Sequence, residues 1–204
     1  MEHIQLLRSI FGRGKKRNQA KINNRDESIR SAKSGDVLTI KGLSLETDDI
    51  YFFVERIHKY TTGSDVWYEL VCRDGDNQVW IDWIDGYDLL VTATSDFNAR
   101  SLSSLGLDEE ELITLDEENT IDNYIEVDND IYYYRNSSEV IFYQDSRGNG
   151  AGFYHWEFMR DDDSKVLSIS KWENKPFEAL FSDVIPSENI NLYKGDADNT
   201  GHGR

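Results

Sequence analysis

The chain has 204 residues, 38% of them apolar and 12% aromatic, with 11 Tyr, 5 Trp and two Pro. That is enough to bury roughly 70% of its extended surface in one body, and it excludes a disordered polyelectrolyte. No run approaches the roughly 20 apolar residues of a membrane-spanning helix, and the lone Cys72 excludes an internal disulfide.

The formal charge of −17 is unevenly placed. The first 33 residues carry nine basic and three acidic side chains (+6), and the other 171 carry 13 basic and 36 acidic (−23). Such a body repels phosphate and anionic lipid, while the arm attracts both, so nucleic acid is not the expected partner of the body.

In chain order, "MEHIQLLRSIFGRGKKR" at 1–17 puts Ile4, Leu7, Ile10 and Phe11 at helical spacing, followed by Arg13, Lys15, Lys16 and Arg17. This pattern predicts a short amphipathic basic helix suited to peripheral contact with an anionic membrane or to a partner protein. The apolar part is too short and polar for a signal-peptide core, so a cytoplasmic protein reaching the inner membrane face is expected. Residues 18–34 read as a polar linker.

From residue 35 to 94 the pattern is a first β-meander. "GDVLTIKGL" and "DIYFFVERIHKY" each supply a strand, "DVWYELVCRDGDNQVWIDWI" is a hairpin turning at Asp74-Gly75-Asp76-Asn77, and "DLLVTAT" closes the set. Within the hairpin Val66, Tyr68, Leu70 and Cys72 share one face, and Trp67, Glu69, Val71 and Arg73 the other. Residues 95–120 form a polar connection in which Asp108 caps a helical turn at "DEEEL".

Residues 121–193 form a second meander. "NDIYYYRNSSEVIFYQD" reads as a hairpin about Asn136-Ser137-Ser138, "GAGFYHWEFMRDDDSKVLSIS" as another about Asp161-Asp162-Asp163, and "KPFEALFSDVIPSENINLY" completes the body. Residues 194–204 read as a disordered tail.

The halves resemble each other. Aligning "WYELVCRDGDNQVWI" with "HWEFMRDDDSKVLSI" pairs Tyr68 with Trp156, Glu69 with Glu157, Arg73 with Arg160 and Val79 with Val166. "DDIYFFVE" similarly resembles "NDIYYYRN". Two amphipathic meanders are expected to cover one another's apolar faces, giving an all-β sandwich or a partly closed barrel with little helix.

Chemistry is sparse. No HxH, HExxH or paired CxxC appears, so neither a metal nor another cofactor is expected. His155 and Glu157 project from one strand face at i, i+2, with Cα atoms roughly 6.5–7 Å apart. They are the candidates for acid–base or ligand-binding work, with Glu69 as the matching residue of the first half. A plain cross-strand polar pair also explains them. Cys72 sits on an apolar face and reads as an inert thiol.

The stretches "GDVLTI", "YFFVERIHKY", the Trp-x-Glu hairpin ending in "VWID", "IYYYRNSSEVIFYQ" and "FYHWEF" resemble the bacterial family catalogued as domain of unknown function 4178, over roughly residues 34 to 193. The resemblance implies no established activity and no catalytic residues. It implies association with phage-shock-protein-A-like membrane-stress systems and small membrane proteins.

Three functions remain in view. The first is a non-enzymatic protein-interaction module, drawn to the membrane by residues 1–17. The second is a small-ligand binder or enzyme using His155, Glu157 and Glu69. The third is an acidic decoy or immunity-type protein.

Overall fold

The computed structural model describes residues 28–43, 50–63, 65–85 and 89–195. The amphipathic helix expected over residues 1–17, with Ile4, Leu7, Phe11, Arg13, Lys15, Lys16 and Arg17, lies outside the described residues.

The described chain is mostly β. Its strands are β1 (Val37–Ile40), β2 (Tyr51–Thr62), β3 (Asp65–Asp74), β4 (Asn77–Asp85), β5 (Leu89–Thr94), β6 (Tyr124–Val127), β7 (Asp130–Tyr143), β8 (Ala151–Arg160), β9 (Lys165–Trp172), β10 (Phe177–Val184) and β11 (Ile190–Tyr193). The one α-helix among the described residues is α1 (Glu109–Glu118). It starts at Asp108, whose carboxylate accepts from the Glu111 N–H while the Glu111 side chain accepts from the Asp108 N–H. Two otherwise unpaired helix-end donors are thereby satisfied.

All the strands belong to one antiparallel sheet, in the order β11-β1-β2-β3-β4-β5-β10-β9-β8-β7-β6. A further pairing of Lys59, Tyr60 and Thr61 with Tyr143, Phe142 and Ile141 brings β7 back to β2. The sheet is therefore partly ring-like: β2–β5 and β7–β10 follow one another around it, with β1 and β11 extending from β2 and β6 from β7. Each half repeats one order of pairings, and each opening strand carries a β-bulge, at Glu55 in β2 and at Arg135 in β7. A bulge turns a long strand, allowing its first part to leave the ring while its last part closes it.

Strand alternation then divides the side chains. On the outer face of the first half Leu70, Cys72, Val79, Ile81, Val91 and Ala93 pack with Leu38, Phe52, Val54, Ile29 and Leu192. On the outer face of the second half Tyr134, Trp156, Phe158, Leu167 and Ile169 pack beneath Leu102, Leu105 and Leu112, the last from α1. The meanders thus do not cover one another's apolar faces, as the sequence leads one to expect. Each has its own cover, built from β1, β11 and the turn at Ile29–Ser31 in one half, and from α1, β6 and the turn at Leu102–Leu105 in the other.

Two local expectations also change. Asn136-Ser137-Ser138 is not a turn: β7 runs through it, with the three residues opposite Glu157, Trp156 and His155. Their polarity has another cause. Asn136 and Ser138 face inward with Glu157 and His155, and Ser137 bonds Tyr134 (2.9 Å) and the Asp116 carboxylate of α1. The real turn lies earlier, at Asp128-Asn129 between β6 and β7, where both residues have positive φ (56° and 70°), the tight hairpin geometry these residue types tolerate.

The aligned pair Val79 and Val166 falls on opposite faces, Val79 in the first outer core and Val166 opposite the inward Met159. A one-residue slip in a repeat alignment flips every side chain it touches. Tyr68 and Trp156, by contrast, both face outward, and Glu69 and Glu157 both face inward.

Candidate functional site

The inner face of the ring is built in cross-strand rows. In the first half one row runs His58, Glu69, Asp82, Thr92 across β2 to β5. In the second half the matching row is Asn136, Glu157, Ser168, Leu180 across β7 to β10, with Ser138, His155, Ser170 beside it. At the β5–β10 seam the buried Thr94 and Ser182 hydroxyls bond each other at 2.7 Å. The ring interior therefore holds rows of polar side chains beside apolar ones such as Val71, Val140 and Met159, although the strands that form it have apolar cores on their backs.

An aromatic layer joins the halves across this interior. Tyr60 stacks on Trp67 (5.1 Å between centroids) and meets Phe142 and Phe153 at 5.1 and 6.2 Å. Phe153 stacks on Trp172 at 4.4 Å, and His155 lies 6.4 Å from Trp67. His155, Glu157 and Glu69, singled out from the sequence, thus share one interior.

Three residues that the sequence reading did not name also belong there. Asp82 lies opposite Glu69 and is raised well above the usual carboxylate range, first by burial, then by the charges of Glu69 and Glu157. Tyr60 donates its hydroxyl to Glu69 Oε2 at 3.1 Å. Arg135, the bulge residue, is the cation whose field opposes the rise of Glu157, a rise that burial causes. The signal for Asp82 was present in "VWIDWI": a lone carboxylate at an alternate position in an otherwise apolar run implies a polar neighbour across the sheet.

Burial also pushes Glu69 up to about 7, against the opposing pull of its Tyr60 hydrogen bond and of Arg56. It pushes His155 down to about 4, so this imidazole is neutral at physiological pH. Burial is the cause acting on His155, and it also raises the adjacent Glu157. His58 lies on the same face, yet its Nδ1 already accepts the Asp145 N–H at 2.9 Å. Cys72 is in the first outer core, its thiol pushed up to about 12 by burial.

Asp82, Glu157 and His155 are enclosed by protein, but each keeps part of its surface accessible. A residue deep inside a molecule keeps accessible surface only where the space beside it is not filled. Rings of about eight strands have an interior that side chains fill or that holds one small ligand. Two clefts elsewhere, of about 410 Å³ around Val91 and Ile185 and about 280 Å³ around Arg100 and Asp128, are lined by other residues. Among the described residues, no group of three or more His, Cys, Asp or Glu is placed to hold a metal ion, and no helix is long and apolar enough to cross a membrane.

The fold and its interior define a mostly β module with a polar, partly ring-like centre. The family model described as "Domain of unknown function (DUF4178)" matches residues 35–187, and the chain belongs to that family. No curated protein and no solved structure matches it.

Proposed function

We propose that the domain is a non-enzymatic binding module whose ring interior takes a small polar molecule. The observation that carries this reading is the meeting of Glu69 and Asp82 from one half with His155 and Glu157 from the other in an enclosed polar space, while both hydrophobic cores lie on the outer faces. A fold needs no polar centre for stability, because unpaired buried polar groups oppose folding. Binding is favoured over catalysis because the Cys72 thiol lies in the outer core, buried and protonated, and His155, lowered to about 4, is a weak base.

The test is to fill the space. Ser168 and Ser170 face inward on β9, and Ser170→Phe would occupy the centre while leaving both outer cores intact. A thermal-shift screen of small polar compounds on the full chain should find ligands that stabilise the wild type and not this variant, with circular dichroism confirming that the variant is folded. Ligands that stabilise both proteins equally would place binding elsewhere.

A second reading rests on a different surface. Tyr51 and Phe53 of β2 and Tyr193 of β11 are 55%, 56% and 50% exposed, the Tyr51 and Tyr193 rings lying 6.2 Å apart across β1, and β11 pairs only with β1 among the described residues. An open strand edge flanked by aromatic rings suits a protein partner that adds a strand. Contact with an anionic membrane through residues 1–17 remains part of this proposal. Flotation with anionic vesicles, with and without those residues, tests it: equal flotation of both chains, or of neither, removes the tether.

A further inference from the structure

We propose that the ring interior is selective for a small organic cation, an alkylammonium group seated between the Glu69, Asp82 and Glu157 carboxylates and the aromatic rings of Tyr60, Trp67 and Phe153. The proposal rests on the ring-interior reading and adds the chemical class of the ligand.

Charge balance is the first argument. Three carboxylates face this space, and the cations acting on them are Arg56 and Arg135. Arg56 is exposed, and Arg135 also reaches the Asp163 carboxylate at 3.6 Å. When all three carboxylates ionise, the interior therefore lacks at least one positive charge. An anionic ligand would increase that imbalance, and a neutral one would leave it unchanged.

Shape narrows the choice of cation. The carboxylates come from opposite halves of the ring and are not grouped to share a metal ion. A cation wider than a bare ion spans them better. Tyr60 and Trp67 stack on each other and Phe153 stacks on Trp172, which leaves one face of each ring for an ammonium group or its alkyl chain.

The third argument is independent of charge. His155 Nδ1 is buried and has no hydrogen-bond partner among the described residues. A buried polar atom of this kind calls for a partner. On a neutral imidazole one ring nitrogen accepts, and an ammonium N–H is a donor. Burial raises Glu69, Asp82 and Glu157 toward their protonated forms, and the field of an entering ammonium group opposes that rise and favours proton release.

The five tryptophans make the experiment self-controlled. Trp67, Trp80 and Trp172 face the ring, whereas Trp83 and Trp156 lie in the outer cores. Full-length protein with labelled indoles would be titrated with n-butylammonium, n-butanol and butyrate, which match in length and differ in charge. The expected result is that n-butylammonium moves the Trp67, Trp80 and Trp172 signals, leaves those of Trp83 and Trp156 in place, and binds about tenfold or more tighter than n-butanol. Calorimetry at pH 7 in two buffers of different ionisation enthalpy should show proton release. Glu157→Gln and, as a second variant, Asp82→Asn should each weaken the ammonium at least tenfold.

Movement of the ring indoles by n-butanol or butyrate as strongly as by n-butylammonium overturns the cation selectivity and leaves the ring interior as a binding site. Ammonium binding that both variants leave unchanged also overturns it. If no probe moves the ring indoles, the ring-interior reading itself falls, and this inference with it.

Discussion

The two faces of the ring are made by the same strands, yet they obey different rules. Outward, Leu70, Ile81, Phe158, Leu167 and Ile169 are closed to solvent and packed against covering elements. Inward, the alternate residues of those strands include Glu69, Asp82, Glu157 and Ser168, with carboxylates raised by burial. Stability resides in the outer layers. The centre is thermodynamically expensive, which is the pattern expected of a site kept for something other than folding.

The largest test of that contrast removes an outer ring. Phe158 is fully buried and packs edge-on against Tyr134 at 5.7 Å. Phe158→Ala should lower unfolding free energy by roughly 3–5 kcal/mol in urea denaturation. The inward neighbour supplies the comparison: Glu157→Gln should leave stability unchanged or raise it, because it removes an ionisable group from an enclosed site. A loss of similar size from both variants would erase the distinction between the faces.

The pH dependence should show the same contrast. The folded value of Glu69, about 7, lies above its ordinary one, so the native state holds more protons than the unfolded state. The resulting stabilisation is complete below the ordinary value of 4.5 and is lost as pH rises through 7. Asp82, also raised, acts in the same direction. His155, lowered to about 4, acts oppositely: its stabilisation is present above 6.5 and is lost as pH falls toward 4. Between pH 6.5 and 8 the carboxylates set the slope, opposed by a smaller rise from His155 and His58 that fades by about pH 7.5. Unfolding free energy should therefore fall across that window, with on the order of 1 kcal/mol from Glu69 alone. Glu69→Gln should flatten the decline, and an unchanged slope would mean that the carboxylate is not enclosed.

Smaller effects belong to the covers. Asp108→Ala removes the cap of α1 and should cost about 1 kcal/mol, accompanied by faster amide exchange over Glu109–Glu118. Glu55→Ala removes a bridge to Arg73 in which both side chains are about two-fifths exposed (41% and 39%), and it should change stability by less than about 0.5 kcal/mol.

Most strands were legible because alternation is local. The Val66, Tyr68, Leu70, Cys72 face and the turn ending at Asn77 follow from residue types a few positions apart, and the structure pairs Asp74 with Asn77. The Asp108 cap was legible for the same reason. Asn136-Ser137-Ser138 misled because small polar residues signal a turn only when nothing across the sheet explains them. Here Glu157 and His155 provide that explanation from another strand. The site was half visible: His155, Glu157 and Glu69 stood out, while Asp82 and Arg135 acquired meaning only once β4 and the β7 bulge were placed beside them.

The amino-acid sequence by itself determined a mostly β chain, an acidic body behind a basic arm, and, within a single hairpin arm, which residues share a strand face. Each of these depends on composition or on a period of two. Only the tertiary structure decided which faces turn inward. That choice depends on the covering elements, α1 and β6 on one side and β1 and β11 on the other, which satisfy the apolar faces separately. It also depends on the β2–β7 and β5–β10 seams, which close the polar faces toward each other. Contacts between residues more than eighty positions apart, such as Thr94 with Ser182, have no local signature in a single chain.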